Sequence, residues 1–392
     1  MTASVLIVGA GQAAAQLAVS LRQGGYADAI RMVGDEPYPP YQRPPLSKAF
    51  LKDRAAVETL FLRGESYWQD HQVALDLGTP VAAVDFAARR ATLADGRTLD
   101  FGTLVFATGT RARDLPLPGV TLPGVHTLRR IEDIRRLRPA LDRARRVVIV
   151  GGGYIGLEVA AVMRQEDREA IVIEAEARVM KRVAGEAVSR FYQAVHGARG
   201  VDIRLGARLA AVDGTTQATG VTLASGECIA ADLVLVAAGA RANDDLAAAA
   251  GLVCEDGILV DDFARTAAPG VYAIGDCTRF HSRRYGRKVR LECVQNAIDQ
   301  AKTVAAAILG DARPYDPVPW FWSDQYEVKL QIAGLLDGYD AEETVGDPAA
   351  GKFSVDYRKD GRLIAVDAIN DGRAHMLGRR RIAADLPEAA PA

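Results

Sequence analysis

Two segments of this chain share one pattern, a short aliphatic run followed by a glycine-rich turn. The first reads Val5-Leu6-Ile7-Val8-Gly9-Ala10-Gly11-Gln12-Ala13-Ala14, the second Val147-Val148-Ile149-Val150-Gly151-Gly152-Gly153-Tyr154-Ile155-Gly156. A run of β-branched residues makes a strand buried on both faces, as in a parallel sheet. The first glycine allows a tight turn, the second lets the backbone approach a pyrophosphate, and the third lets helix close on strand. In the first segment Ala14 takes the third place. The helix that opens there offers free N–H groups and a partial positive charge to phosphate. Each segment leads to a second strand ending in an acid, Asp35 after Ile30-Arg31-Met32-Val33-Gly34 and Glu174 after Ala170-Ile171-Val172-Ile173. These acids lie roughly 20 residues on, where a ribose hydroxyl is gripped. Two bound dinucleotides are therefore predicted.

Composition removes other readings. A length of 392 residues fits two or three domains, and 49% hydrophobic with 25% charged residues is ordinary for a globular chain. The net charge of −2 gives no bias toward nucleic acid. No apolar run reaches the roughly 18 residues that span a bilayer. No basic segment with an apolar core precedes the first strand, so no membrane association and a cytoplasmic location are expected. The cysteines at 228, 254, 277 and 293 form no C-x-x-C or C-x-x-x-x-C pair. Neither they nor the histidines at 71, 126, 196, 281 and 375 have metal-ligand spacing, so no metal site is expected. His281 reads as a surface or packing residue.

Along the chain, residues 1–36 read as βαβ, followed by a rigid proline-rich loop, 37–48, that carries Arg43 and Lys48. Strands are expected near 73–77, 80–85, 90–94 and 98–100. The stretch Thr103-Leu104-Val105-Phe106-Ala107-Thr108-Gly109 reads as a buried strand ending in a small-residue turn. A second βαβ begins near 145, with strands at 201–204, 208–213, 218–223 and 232–237, the last closing in Ala238-Gly239. A helix is expected over about 293–309, and 386–392 as a frayed tail. The fold class is α/β, two Rossmann-like dinucleotide-binding domains with one inserted in the other, plus an α+β C-terminal domain. The expected boundaries are 1–112 with 241–316 for the first domain, 113–240 for the second and 317–392 for the third.

Several positions carry chemistry. Asp276, after Gly275 at a strand end, sits where ligands bind in such sheets and could accept from a flavin ribityl hydroxyl, or cap a helix. Lys48 could place a cation beside a flavin ring, and Arg43 could grip a pyrophosphate. Glu174 can accept from both ribose hydroxyls of NADH and repel the extra phosphate of NADPH, although Arg178 and Arg182 lie just beyond. Glu158 opens the second helix near the expected nicotinamide, where the helix dipole also favours an acid. Hydride transfer needs stacked rings rather than an acid–base residue. The run Arg279, Arg283, Arg284, Arg287, Lys288 and Arg290 reads as a solvated face or as a docking surface for an acidic partner. Arg379-Arg380-Arg381 reads as a solvated end, and Trp320-Phe321-Trp322 as core of the third domain or as an interface.

The chain resembles the FAD-containing, NADH-dependent ferredoxin reductases of bacterial oxygenase systems. The likeness rests on Arg43-Pro44-Pro45-Leu46-Ser47-Lys48, Ala107-Thr108-Gly109, Gly151-Gly152-Gly153-Tyr154-Ile155-Gly156-Leu157-Glu158, Gly275-Asp276-Cys277 and Pro319-Trp320-Phe321-Trp322-Ser323-Asp324-Gln325-Tyr326. The resemblance implies FAD contacts at Ala13, Asp35, Arg43, Lys48, Val81, Arg129, Asp276 and Val294. It also implies a Trp320 near both flavin and partner, and a monomer or weak dimer. The implied activity is hydride transfer from NADH to FAD, then single-electron delivery to a 2Fe-2S ferredoxin. That ferredoxin would supply a haem-thiolate monooxygenase or a Rieske-type dioxygenase. The alternatives are a rubredoxin reductase, an NADH oxidase or a redox-sensing flavoprotein. One departure is Gln165-Glu166-Asp167-Arg168-Glu169-Ala170, which stands where the family has a glycine-containing turn.

Overall fold

The computed structural model describes residues 4–385; the expected tail at 386–392 lies outside them. Both aliphatic runs are the central strands of five-stranded parallel sheets. Val5–Val8 lies between Ile30–Val33 and Thr103–Phe106, with Val73–Asp76 and Val271–Ala273 at the edges. Arg146–Val150 lies between Glu169–Glu174 and Leu233–Val236, with Asp202–Leu205 and Val125–Thr127 outermost. In each sheet the strand leading to the acid is on one side and the strand ending in small residues on the other. Strand order reverses at the glycine turn, which opens a crevice at the strands' carboxyl ends.

The first helix, Gln12–Gln23, buries a face of Ala13, Ala14, Ala15, Leu17, Ala18 and Leu21. Small side chains let it approach Val294–Ile308, which presents Ala297, Ala301, Val304 and Ala305 to the same core. Between the two parallel sheets the chain crosses and returns through the antiparallel pair Thr110–Ala112 and Ala240–Ala242. Three-stranded antiparallel sheets flank the parallel ones, Val81–Asp85 with its neighbours on the first and Leu209–Gly214 with its neighbours on the second. The turn that departs from the family's glycine pattern places Asp167 at φ 55°. Aspartate tolerates that left-handed conformation better than most residues with a Cβ.

The C-terminal region is an antiparallel sheet in the order Trp320–Gln325, Val328–Gly334, Arg362–Ile369, Lys352–Lys359, Ala341–Asp347, covered by helix Gly372–Ala384. Its outer strand carries Glu342 and Glu343 and is fully exposed, charges that discourage edge pairing. Its inner face packs Val328, Leu330, Val355 and Tyr357 against Leu157, Val188 and Tyr192 of the second dinucleotide unit.

Asp367 lies in that seam, completely buried. Its Oδ2 accepts from the Tyr357 hydroxyl at 2.7 Å, and the same hydroxyl accepts from the backbone N–H of Gly185 at 3.0 Å. Its Oδ1 has no hydrogen-bond partner among the described residues. Burial pushes its carboxyl up to about 7 from 3.8. Between those values the folded chain holds a proton that the unfolded chain releases. The stabilisation is therefore complete below about pH 4 and lost as pH rises through about 7. Asp367→Asn, neutral throughout, is expected to flatten this slope and to gain on the order of 2–4 kcal/mol over the parent at pH 8. Calorimetry of both proteins at pH 5 and pH 8 checks it; parallel Tm curves for the two would refute it.

Candidate functional site

One cavity of about 1220 Å³ runs past both glycine turns. At the first, Gly9 has φ +116°, and a Cβ there would lie 2.2 Å from the Ala107 carbonyl oxygen. At the second, Gly151 has φ +113° and the same relation to the Ala237 carbonyl oxygen, at 2.5 Å. These glycines fold the turn against the neighbouring strand. Gly11 and Gly153 differ, because a Cβ on either would meet nothing within 4 Å. Each is the N-cap of its helix and neither supplies a side-chain cap. Helix-terminal N–H groups thus face open space, the arrangement a pyrophosphate fills. The residues present fit one dinucleotide at each turn.

Of the positions singled out in the sequence, Ala13, Val81, Ala107, Gly109, Gly275, Val294, Tyr154 and Ile155 line this cavity, as do Asp35, Arg43, Lys48, Thr108, Arg129, Asp276, Glu158, Glu174, Arg182 and Trp320. Ala14, Gly156 and Gly239 do not. Ala14 is buried in the helix packing. Gly156 lets the second helix sit on its strand, since a Cβ there would be 2.0 Å from the Gly151 carbonyl oxygen. Gly239 has φ +100° and makes a turn beside Arg182.

The first turn's surroundings form a network of charges. Asp35 pairs with Arg130 at 2.7 Å. Arg43 donates to Glu36 at 2.7 Å, to the Tyr41 hydroxyl at 2.8 Å and to the Arg129 carbonyl at 2.8 Å. Arg129 in turn meets Asp276 at 2.9 Å. The Ala107–Gly109 turn is pinned by Asn243, whose side-chain amide donates to the Thr108 backbone carbonyl at 2.8 Å while its backbone carbonyl accepts from the Thr108 hydroxyl at 2.6 Å. Glu36, Tyr41, Arg130 and Asn243 escaped sequence reading. Only the aromatic content of the proline loop hinted at one of them, Tyr41.

Glu158 is 4% exposed and lies on the second helix. Its Oε2 accepts from Lys48 at 2.8 Å and from the Ser47 hydroxyl at 2.5 Å, and its Oε1 accepts from the Ser323 hydroxyl at 2.6 Å. One carboxylate thus ties the proline loop, the second dinucleotide unit and the C-terminal sheet together beside the cavity. Glu174 holds the second turn, accepting from Gly152 N–H at 2.7 Å and Glu176 N–H at 2.8 Å. Arg178 is turned away, donating to the Ala184 carbonyl and the Ser189 hydroxyl, both at 2.6 Å, whereas Arg182 stays on the cavity wall.

Trp320 stacks at a tilt on Trp322, with ring centroids 5.6 Å apart, and carries the Arg379 guanidinium 5.3 Å above its ring. Arg381 pairs with buried Asp356 at 2.8 Å. The triple arginine, expected as a solvated end, is instead part of helix Gly372–Ala384 and is tethered at two of its three positions. The Arg279–Arg290 run is not a bare cationic surface. Acids distant in sequence converge on it, Asp262 on Arg283, Asp337 on Arg287 at 2.5 Å, Glu255 on Lys288 at 2.8 Å and Asp256 on Arg290, and the neighbouring Glu292 also pairs with Arg290. Arg279 donates to the Glu255 carbonyl at 2.8 Å, and Arg284 to the Ile382 carbonyl. Only Arg290 of the five arginines reaches the cavity.

All four cysteines are free. Burial pushes the thiols of Cys254 and Cys293 up to about 11 and about 12, so neither is a thiolate at neutral pH. Among the described residues no group of metal ligands occurs and no helix is long and apolar enough to cross a membrane.

Residues 3–301 match the model for pyridine nucleotide-disulphide oxidoreductases, and residues 320–392 match a reductase C-terminal model. A ferredoxin–NAD(P)(+) reductase of a Sphingomonas species is 44% identical over 97% of this chain and 92% of its own. Among solved structures, the ferredoxin reductase for the CYP199A2 system of Rhodopseudomonas palustris is 42% identical, with a TM-score of 0.94 over 96% of this chain and 93% of that one. The reductase of a covalent putidaredoxin reductase–putidaredoxin complex is 39% identical, with a TM-score of 0.94 over 98% and 94%.

Proposed function

Because the chain belongs to the pyridine nucleotide-disulphide oxidoreductase family, we propose that it is a ferredoxin reductase that takes a hydride from NADH onto FAD and delivers electrons singly to a 2Fe-2S ferredoxin. The observation that carries this reading is the single cavity reached by both glycine turns, with the Lys48–Glu158 ion pair on its wall. FAD supplies the conversion from two-electron to one-electron transfer. The protein's part is placement: Gly11 with Asp35, Arg43 and Asp276 for FAD, and Gly153 with Glu174 for NADH. Residues 1–112 with 241–316 are assigned to FAD, 113–240 to NADH and 317–392 to the partner-facing domain.

With no cysteine pair to receive them, the electrons go outward to a protein. The proposed docking point is Trp320, a half-buried aromatic that lines the cavity together with Phe321 and Trp322 and carries the Arg379 guanidinium above its ring. The Arg279–Arg290 run borders this region but carries its own counter-ions, so its steering contribution is smaller than its sequence implies.

Stopped-flow mixing tests the donor, and reduction of cytochrome c through a panel of 2Fe-2S ferredoxins tests the acceptor. Rapid flavin bleaching by NADH and ferredoxin-dependent turnover are expected. Faster bleaching by NADPH would remove the assignment of Glu174, and equal turnover without ferredoxin would remove the partner.

A further inference from the structure

The C-terminal strand Trp320–Gln325 presents alternate residues to opposite sides. Trp320 and Trp322 stack on one face. Phe321, Ser323 and Gln325 point to the other, where Phe321 meets Tyr154, with ring centroids 4.6 Å apart, and Ser323 meets Glu158. Ser323 and Gln325 are both buried. Gln325 donates its amide to Ser323 Oγ at 3.2 Å, and its carbonyl oxygen accepts from His196 Nε2 at 2.8 Å. His196 is itself buried, and burial lowers its affinity for a second proton.

This arrangement fixes the direction of every proton in the chain. Gln325 Oε1 can only accept, so His196 Nε2 carries the hydrogen. Ser323 Oγ already accepts from Gln325, so its own proton is directed at Glu158 Oε1. Hydrogen bonds aligned in one sense polarise one another, and the last ends on a charge, the strong kind. Without the Ser323 hydroxyl, Oε1 loses this donor and the carboxylate is held through Oε2 alone, by Lys48 and Ser47, so its plane can swing about that oxygen and shift the Lys48 contact.

We propose that Ser323, held by Gln325 and His196, is a positioning residue that fixes the Glu158 carboxylate and through it the Lys48 ammonium beside the flavin. The C-terminal strand that shows its tryptophans outward thereby sets the electrostatics of the redox site inward. The inference rests on the reading that Lys48 faces the flavin.

The test uses FAD-loaded protein and two readouts, the flavin midpoint potential from dye equilibration and the rate of flavin reduction by NADH. Ser323→Ala is expected to move the potential to a more negative value and to slow reduction about tenfold, and Ser323→Thr, which keeps the hydroxyl, to restore both. In a Lys48→Met background Ser323→Ala is expected to add less than twofold, because contacts within one network are not additive. Equal factors in both backgrounds, or a lowered Tm with unchanged potential and rate, would overturn the proposal. A Lys48→Met protein with the parent's potential and rate would overturn the reading of Lys48 as well, which separates the two failures. Ser323→Cys, close in volume and a weak donor, is expected to fall between Ala and Ser and serves if the alanine variant does not fold.

Discussion

Gly9→Ala is expected to abolish folding, whereas Gly11→Val, two residues on in the same motif, is expected to fold and lose FAD. The difference follows from what each glycine does. Gly9 combines φ +116° with a virtual Cβ 2.2 Å from a backbone oxygen of the adjacent strand. Backbone strain and overlap in a packed sheet together cost more than about 4 kcal/mol, a large fraction of a domain's stability. Gly11 has φ −102° and ψ −161°, which any residue adopts, and open space ahead of it. Its valine would occupy the volume that a pyrophosphate needs, lowering FAD affinity by at least about 10²-fold. Soluble yield and Tm read the first effect, and flavin absorbance per protein reads the second. The second turn supplies an internal control: Gly153→Val is expected to keep FAD and lose NADH binding. A Gly11→Val protein that retains stoichiometric FAD would show that the first turn does not cradle the phosphates.

The contrast between these glycines bears on how much the sequence could reveal. The motif spelled out both turns, both acids and the central strands, because those features depend on residues within one local βαβ unit. Strand spans near 73, 81, 90 and 218 and the helix at 294–308 also follow local periodicity. Missed were the pairings made across long separations. The sequence marked Lys48 and Glu158 separately, but not the 2.8 Å bond between them or the Ser323 hydroxyl that completes it. No pattern joins Glu158 to Ser47, 111 positions away, or to Ser323, 165 positions away. The Arg279–Arg290 run shows the converse case. Its charge is plain in the sequence, and its counter-ions, Asp262, Asp337, Glu255 and Asp256, are invisible until the chain folds. His196 likewise reads as an isolated histidine and becomes meaningful only against Gln325.

Replacing Glu174 is expected to have the largest effect on the choice of reductant. Each of its oxygens already accepts one backbone N–H, from Gly152 and from Glu176, and keeps a further lone pair. Those remaining positions can receive the two hydroxyls of an adenosine ribose. A 2′-phosphate there would set about two negative charges against a carboxylate fixed in place. The parent is therefore expected to prefer NADH over NADPH by roughly 10²-fold in kcat/KM, equivalent to about 3 kcal/mol. Glu174→Ala is expected to erase most of that ratio in two ways. It removes the repulsion, leaving Arg182 and nearby Lys181 and Arg208 on the wall to attract phosphate. It also leaves the Gly152 N–H without its acceptor, which loosens the turn and raises KM for both nucleotides. Glu174→Gln separates the two contributions, since its carbonyl oxygen can still hold Gly152 while the charge is gone. If the preference is electrostatic, the glutamine variant loses selectivity but keeps most of its activity with NADH. If the turn's anchorage dominates, the glutamine variant keeps the parent's ratio and only alanine fails. Steady-state kinetics with both nucleotides, at low and high ionic strength, distinguish these outcomes, because screening weakens the first contribution and leaves the second unchanged.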